Sequence, residues 1–88
     1  MRERDIEAHL VKRVRELGGE IRKVSWVGRV NAPDRLVLLP ERRSIWVELK
    51  APGKVPTPQQ IREHNRMRRM GELVEVIDSI EQIEELLA

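Results

Sequence analysis

The stretch PDRLVLLPERRSIWVELK, which runs from Pro33 to Lys50, contains the two clearest strand patterns of the sequence. Arg35–Leu39 and Ser44–Leu49 are short runs of mainly β-branched and aliphatic residues. The four residues between them, PERR, have a length typical of a β-hairpin connection. The sequence therefore predicts two adjacent antiparallel strands, with Asp34 at the entrance of the first and Lys50 at the end of the second.

Helix and strand patterns alternate on both sides of this hairpin. Helices are predicted from apolar residues at spacings of three and four, and strands from alternation between apolar and polar residues. The further predicted elements are a helix over Glu3–Leu17, a strand over Glu20–Val27, a helix over Pro58–Met70 capped by Thr57, a strand over Leu73–Ile77 and a last helix that begins after Ser79. The order α-β-β-β-α-β-α predicts a single α/β domain, 1–88, in which helices flank a central mixed sheet.

Length and composition limit the classes of protein to consider. The chain has 88 residues, 40% of them hydrophobic and 36% charged, which predicts one folded domain with one core. It contains no Cys, so disulfide scaffolds, thiolate zinc sites and cysteine nucleophiles are excluded. The N-terminal residues alternate charged with apolar side chains and lack the apolar run of a secretion signal. We therefore expect a soluble cytoplasmic protein without a membrane partner.

The charges are distributed unevenly. Residues 1–71 hold all 17 Lys and Arg side chains, whereas residues 72–88 hold six acids and no base. A basic body favours a polyanionic partner, and the absence of Tyr and Phe argues against stacking of single-stranded bases, so duplex DNA is the expected partner. The candidate phosphate contacts are Lys23, Arg29, Lys54, Arg62 and Arg66. An ordinary solvated face is the alternative for the arginines of the Pro58–Met70 helix.

The ends of the hairpin carry the candidate chemistry. Glu48 and Lys50 are two residues apart on a strand and project from one face, and the hairpin folds Asp34 back toward them. Two carboxylates suit Mg²⁺ or Mn²⁺, and the backbone carbonyl of Leu49 could add a third oxygen ligand. A lysine beside the metal can orient or help deprotonate the attacking water. This combination predicts a phosphodiester hydrolase.

A plainer interpretation of the same residues stays open. An Asp after Pro commonly forms a turn, and Glu48 with Lys50 could be a salt bridge at a strand end. The protein would then be a non-catalytic DNA-binding or docking module. The residues also leave the substrate open between duplex, flaps, ends and RNA, and the two histidines, His9 and His64, lie on different helices without a predicted partner at metal spacing.

The ordered set of motifs resembles the virus-type replication-repair nuclease (VRR-NUC) domain of the PD-(D/E)xK nuclease superfamily. The resemblance covers nearly the whole chain, through Glu7, Gly18, Gly19, Lys23, Pro33–Pro40, Val47–Gly53, Thr57, Pro58, Gln60, Gly71, Val74, Asp78 and Ser79. It implies a restriction-endonuclease-like αβββαβ core with a C-terminal helix. One departure is Asn31, which stands where the family usually has glycine; because Asn tolerates a left-handed backbone, we expect the turn to be kept.

The resemblance also implies roles for individual residues. Asp34 and Glu48 would be metal ligands and Lys50 would assist catalysis, with Glu7, through a metal-bound water, and Gln60 in supporting positions. It further implies a homodimer that cuts branched DNA, such as four-way (Holliday) junctions, in DNA repair, and a phage-encoded protein that acts in the host cytoplasm. The apolar stripe of the last helix, together with Met67 and Met70, is expected to supply apolar surface for pairing.

Overall fold

A four-stranded sheet between helices forms the protein in a computed structural model that describes residues 1–88. The elements are α1 (Glu3–Glu16), β1 (Glu20–Lys23), β2 (Arg35–Leu38), β3 (Ile45–Leu49), α2 (Pro58–Arg69), β4 (Leu73–Ile77) and α3 (Ile80–Leu87). This is the predicted α-β-β-β-α-β-α order. None of the three helices is both long and apolar enough to cross a lipid bilayer.

The strands lie in the order β1-β2-β3-β4. The β1–β2 and β2–β3 pairs are antiparallel, and the β3–β4 pair is parallel, with α2 in the connection between its two strands. The predicted hairpin and the predicted mixed sheet are therefore confirmed. A parallel pair needs a long crossover connection, and this explains why the β3–β4 link contains a whole helix.

Helices α1 and α3 cover one face of the sheet. Ile6, Leu10 and Val14 recur along one side of α1 and are fully buried, as the spacing of three and four predicts. They form one core cluster with Val47 of β3, Ile83 of α3 and other residues of the sheet. The last helix buries both Ile83 and Leu87 in this way.

Helix α2 covers the opposite face. A smaller core cluster there consists of Trp46, Met67 and Val74, with Val24 and Leu36 packed against it. Because successive side chains of a strand project to opposite faces, Trp46 lies on the same face as Glu48.

The apolar surface expected for pairing is largely used inside the monomer. Ile83 and Leu87 belong to the core of the α1 face, and Met67 is only 5% exposed under α2. The expectation that Met67 and the α3 stripe lie free is therefore wrong: the sheet is wide enough to cover both. Met70 is exposed as expected, with 70% of its surface accessible at the end of α2.

The first strand is shorter than the sequence indicates. Its predicted range ran to Val27, but the ladder ends at Lys23, with a last bond from the Val24 N–H to the Asp34 carbonyl (3.0 Å). Continuing the register would pair Val27 with Asn31, whose φ of 67° turns the backbone out of an extended strand. The expected left-handed Asn31 is confirmed, and Trp26, which falls within the predicted strand range, lies in this loop with 36% of its surface exposed.

The turn from α1 into β1 depends on Gly19. A Cβ atom at this position would lie 2.3 Å from the Leu38 carbonyl oxygen and 2.9 Å from a methyl group of Leu39. No side chain fits there, because the backbone of β1 must approach β2 this closely for the sheet to form.

Candidate functional site

Asp34 and Glu48 lie opposite each other at one end of the β2–β3 pair. The last paired residues are Arg35 and Val47, and the next step of this register sets Asp34 against Glu48. Residues opposite each other in an antiparallel pair project from the same face with Cβ atoms about 5 Å apart. Burial raises the pKa of Glu48 above its usual value; the Lys50 charge opposes this shift and the Asp34 charge adds to it. The two carboxylates therefore form an electrostatically coupled pair.

Lys50 follows Glu48 on the same face of the sheet. Its backbone is held by the bond from its N–H to the Ile77 carbonyl (2.9 Å), which extends the parallel ladder with β4 by one residue. No ion pair within 4.0 Å joins Lys50 to Glu48, although its charge lowers the pKa of that carboxyl group. The structure thus holds the two side chains near each other without the strand-end salt bridge that the plainer interpretation requires.

The backbone carbonyl of Leu49 faces the same site. The Lys50 N–H points to β4, so the Leu49 C=O across the same planar peptide points to the β2 side. The residue opposite Leu49 in the register is Pro33, which has no N–H to donate. The proline before Asp34 therefore leaves the Leu49 carbonyl without a backbone partner next to the carboxylate pair.

Arg35 joins the site to α1, and the sequence patterns did not single it out. Its Nη1 lies 2.8 Å from Asp34 Oδ1 and its Nε 2.5 Å from Glu7 Oε2, while its side chain is only 12% exposed. Glu7, implied as a supporting metal-site residue, therefore reaches the site through this guanidinium. Among the acids of α1 it is Glu3, one turn before Glu7, whose charge raises the pKa of Glu48. Because residues four apart lie on the same side of a helix, the spacing of Glu3 and Glu7 was the sequence signal that both acids face the site.

His64 is the second residue that sequence reasoning missed. It is 1% exposed under α2, and its Nε2 lies 3.4 Å from Glu48 Oε1. Burial and the charges of Arg68 and Lys50 lower the pKa of His64, which favours the neutral ring. A neutral ring with its proton on Nε2 donates to Glu48, and Nδ1 then stays buried without a partner. No sequence spacing indicates this contact, because it joins α2 to β3.

Gln60 caps α2. Its side-chain oxygen accepts a hydrogen bond from the Thr57 N–H (2.9 Å), and its own N–H donates to Thr57 Oγ1 (3.1 Å). This capping box anchors the start of the helix and uses the side-chain oxygen of Gln60. Its NH₂ group is the part of the amide that can still donate a hydrogen bond.

The donor set fits a hard divalent cation. Asp34 and Glu48 offer carboxylate oxygens and Leu49 a carbonyl oxygen, while no cluster of three or more His, Cys, Asp or Glu side chains forms a complete protein cage. Mg²⁺ is usually bound by one or two carboxylates plus waters and substrate phosphates, so an open set of this kind suits it. A cation would also offset the two effects that raise the pKa of Glu48, which are its burial and, to a smaller extent, the charge of Asp34.

A basic groove lies on the α2 side of the sheet, between the loop after β1 and helix α2. It has a volume of about 380 Å³ and is lined by Gly28, Arg29, Val30, Asn31, Gln59, Arg62, Glu63 and Arg66. The buried Glu63 carboxylate lies 3.7 Å from Arg29 Nη1 and 3.5 Å from Arg66 Nε, which ties the loop to the helix. Glu63 directly precedes His64, which contacts Glu48, so helix α2 contributes both to the groove and to the surroundings of the carboxylate pair.

The five basic residues predicted to contact phosphates are divided among three places. Arg29, Arg62 and Arg66 share the basic groove. Lys23 lies instead in a cleft on the α1 side, together with Glu7 and Arg35. Lys54 is exposed in the turn after β3, where its N–H donates to the Ala51 carbonyl (2.9 Å).

Comparisons with known proteins show similarity to a sequence relative and to a solved structure. The chain is 52% identical over 74 residues, which are 84% of this chain and 80% of the relative, to "Putative nuclease p44" of Acyrthosiphon pisum secondary endosymbiont phage 1. A solved structure described as "VRR_NUC domain" matches with a TM-score of 0.86 and 40% sequence identity, over 97% of this chain and 92% of that chain. No family model matches the sequence.

Proposed function

The chain belongs to the VRR-NUC family and has its restriction-endonuclease-like fold, and from this premise we propose that it is a nuclease that hydrolyses DNA phosphodiester bonds with Mg²⁺ or Mn²⁺. The observation that carries the proposal is the placement of Asp34 opposite Glu48, with Lys50 on the same face. This arrangement gathers the residues of a PD…ExK motif at one end of two strands.

Each residue of the site has a distinct task in this proposal. Asp34, Glu48 and the Leu49 carbonyl would hold the metal ion, which supplies positive charge that activates water and stabilises the charge developing on the phosphate. The Lys50 ammonium stabilises the same negative charge and orients the attacking water by hydrogen bonding. Arg35 holds the Asp34 carboxylate in place.

Glu7 and Gln60 have supporting tasks. Glu7 fixes the Arg35 guanidinium from α1 and so sets the direction of the Asp34 carboxylate. The Gln60 capping box holds the first turn of α2, and its free NH₂ group can donate to a phosphate or a bound water.

The DNA backbone would lie in the basic groove. Arg29, Arg62 and Arg66 outnumber the single acid, Glu63, and offer planar donors that suit phosphate oxygens. Because α2 contributes both to the groove and to the surroundings of Glu48, we propose that a strand held in the groove presents a phosphodiester to the site. Lys54 and Lys23 lie outside the groove and are proposed as further phosphate contacts, Lys23 from the cleft on the α1 side.

The proposed preferred substrate is branched DNA, with a four-way junction cut by a homodimer in the host cytoplasm. The monomer contains one candidate site, and symmetric resolution of a junction requires two matched cuts. A two-fold pair supplies two sites related by the symmetry of the junction. The phage source of the relative agrees with action inside a host cell.

A cleavage panel tests the proposal directly. Duplex, flap, splayed and four-way junction DNA are incubated with the protein in Mg²⁺, Mn²⁺, Ca²⁺ or EDTA. We expect cleavage in Mg²⁺ and Mn²⁺ that is fastest on the junction, and none in EDTA. Lys50→Ala should remove cleavage, whereas Lys12→Ala, an exposed lysine of α1, should not. Equal cleavage by the parent and Lys50→Ala would reject the assigned site, and binding without cleavage under all conditions would favour the docking-module alternative.

A further inference from the structure

Two valines stand exposed at the tip of the loop that borders the basic groove. Val27 is 99% exposed and Val30 is 76% exposed, with only Gly28 and Arg29 between them. Gly28 has a φ of 72°, and this left-handed turn directs the chain back toward α2. We call residues 27–30 the valine tip. An aliphatic side chain this exposed gains no stability from the monomer's own core.

Contacts before and within the valine tip attach it to the rest of the molecule. Trp26, directly before it, packs its ring against Trp46 with centroids 5.0 Å apart, and its indole N–H donates to the Pro33 carbonyl (2.9 Å). On the other side, Arg29 lies 3.7 Å from the buried Glu63 of α2. These contacts attach the tip to the core and to the groove wall, which reduces the ordering cost when the valines meet a partner.

The surroundings of the tip indicate which partner covers it. Arg29 and Val30 themselves line the basic groove, together with Arg62 and Arg66, so apolar and cationic surfaces are continuous. A second copy that paired through this surface would bring two sets of arginines together, and a lipid surface does not match a concave groove. A nucleic acid matches both features, because its phosphates suit the arginines and its base faces suit the valines.

We propose that the valine tip is a wedge that inserts Val27 and Val30 at unstacked bases of a DNA branch point, while the basic groove holds the adjoining backbone. This inference rests on the proposed function and deepens it, because it assigns branch recognition to particular residues. Proteins that kink DNA insert apolar side chains between base steps in the same manner, and the step must be unstacked to admit them.

The size of the valine side chains accounts for the choice of a branch over an intact duplex. Burying one aliphatic side chain improves binding by roughly 10- to 100-fold, which is of the same order as the cost of unstacking one base step. On an intact duplex the two effects nearly cancel. At a branch the stacking is already interrupted, so the gain from burial is kept and appears as preference for branched DNA.

The test uses DNA with 2-aminopurine at the branch point of a four-way junction, and a paired duplex with the same label. Both are titrated in EDTA with the parent protein, a Val27→Ser/Val30→Ser double variant and a Val55→Ser control; Val55 is 77% exposed in the loop after β3. We expect the parent to raise the junction fluorescence and to prefer the junction. The double variant should lose the fluorescence rise and at least roughly 10-fold of that preference, and Val55→Ser should retain both.

Several results would overturn the wedge. These are a parent that binds no DNA, a parent that leaves the fluorescence unchanged at saturation, and a double variant with unaltered preference. A fall in solution mass from dimer to monomer in the double variant would show that a second copy covers the tip. Cleavage assays separate this inference from the proposed function: a wedge signal without cleavage in Mg²⁺ or Mn²⁺ rejects the nuclease alone, and cleavage without the signal rejects the wedge alone.

Discussion

Replacing Glu48 by Gln should stabilise the metal-free protein while removing its activity. Gln keeps the size of the side chain and an oxygen that can accept the hydrogen bond from His64 Nε2, which lies 3.4 Å from Glu48 Oε1. The substitution removes only the negative charge. That charge is held in an unfavourable place, because the side chain is 14% exposed and faces Asp34 across the strand pair.

The magnitude follows from the separation of the two carboxylates. At about 6 Å and an effective dielectric constant of about 20, two like charges repel by roughly 3 kcal/mol. The positive charges of Lys50 and Arg35 offset part of this repulsion and of the burial penalty. We expect a net gain on the order of 1 kcal/mol for Glu48→Gln, which corresponds to a rise in Tm of about 4–8 °C for a domain of this size.

The gain should depend on pH with a definite sign. The folded-state pKa of Glu48 is raised, so the native state binds a proton more readily than the unfolded chain. Below the ordinary pKa of a glutamate, Glu48 is protonated in both the folded and the unfolded protein. The folded parent then has no buried negative charge, so the substitution by Gln brings no gain in stability. As the pH rises through the raised pKa, the parent loses stability while Glu48→Gln does not, so the advantage of the variant should grow and then level off.

Thermal unfolding in EDTA at several pH values measures this effect, with circular dichroism as the signal. Glu75→Gln, which removes an exposed glutamate from the neighbouring strand β4, is the matched control and should change Tm little. Adding Mn²⁺ should raise the Tm of the parent and leave that of Glu48→Gln nearly unchanged. An unchanged or lower Tm for Glu48→Gln in EDTA at neutral pH would show that no electrostatic strain is stored at the carboxylate pair.

Four further outcomes are expected. Asp34→Asn should remove cleavage and Mn²⁺ binding, measured by calorimetry, while the fold is kept. His64→Gln, which can still donate to Glu48, should retain more Mn²⁺ affinity than His64→Leu, by roughly 10-fold, because a hydrogen bond to a charged group contributes about 1.5 kcal/mol. Arg62→Ala should reduce the salt slope of DNA binding by about one unit, measured by fluorescence anisotropy. Gly19→Ala should destabilise the fold by at least about 2 kcal/mol in denaturant unfolding, because its Cβ would lie 2.3 Å from the Leu38 carbonyl.

Each of these outcomes has a control and a contrary result. Lys12→Ala removes a base from the exposed side of α1 and is the control for Arg62→Ala. If both variants reduce the salt slope of DNA binding equally, Arg62 makes no specific phosphate contact. Equal Mn²⁺ affinities for the two His64 variants would show that His64 only fills space. Gly19 has no left-handed φ, so its substitution tests the close approach alone, whereas Gly71→Ala, whose Cβ meets nothing within 4 Å but whose φ is 94°, tests backbone strain alone.

The sequence by itself determined the elements and their order, because helix and strand periodicity are local properties. The hairpin also has a short connection, so its register follows from neighbouring residues and brings Asp34 against Glu48. The prediction was wrong where local alternation was misleading: the pattern of Glu20–Val27 favours a strand, but Asn31 turns the opposing chain away, and the strand ends at Lys23.

Only the tertiary structure decided how the site is supported. Arg35 meets Glu7 across 28 positions of the sequence, and His64 meets Glu48 across 16. Neither contact follows from any local spacing, because each depends on how α1 and α2 pack on opposite faces of the sheet. The same packing buries Met67, which the sequence left free for a partner. Periodicity shows that a helix has an apolar side, but the shape and width of the sheet determine which charged residues that helix brings to the carboxylate pair.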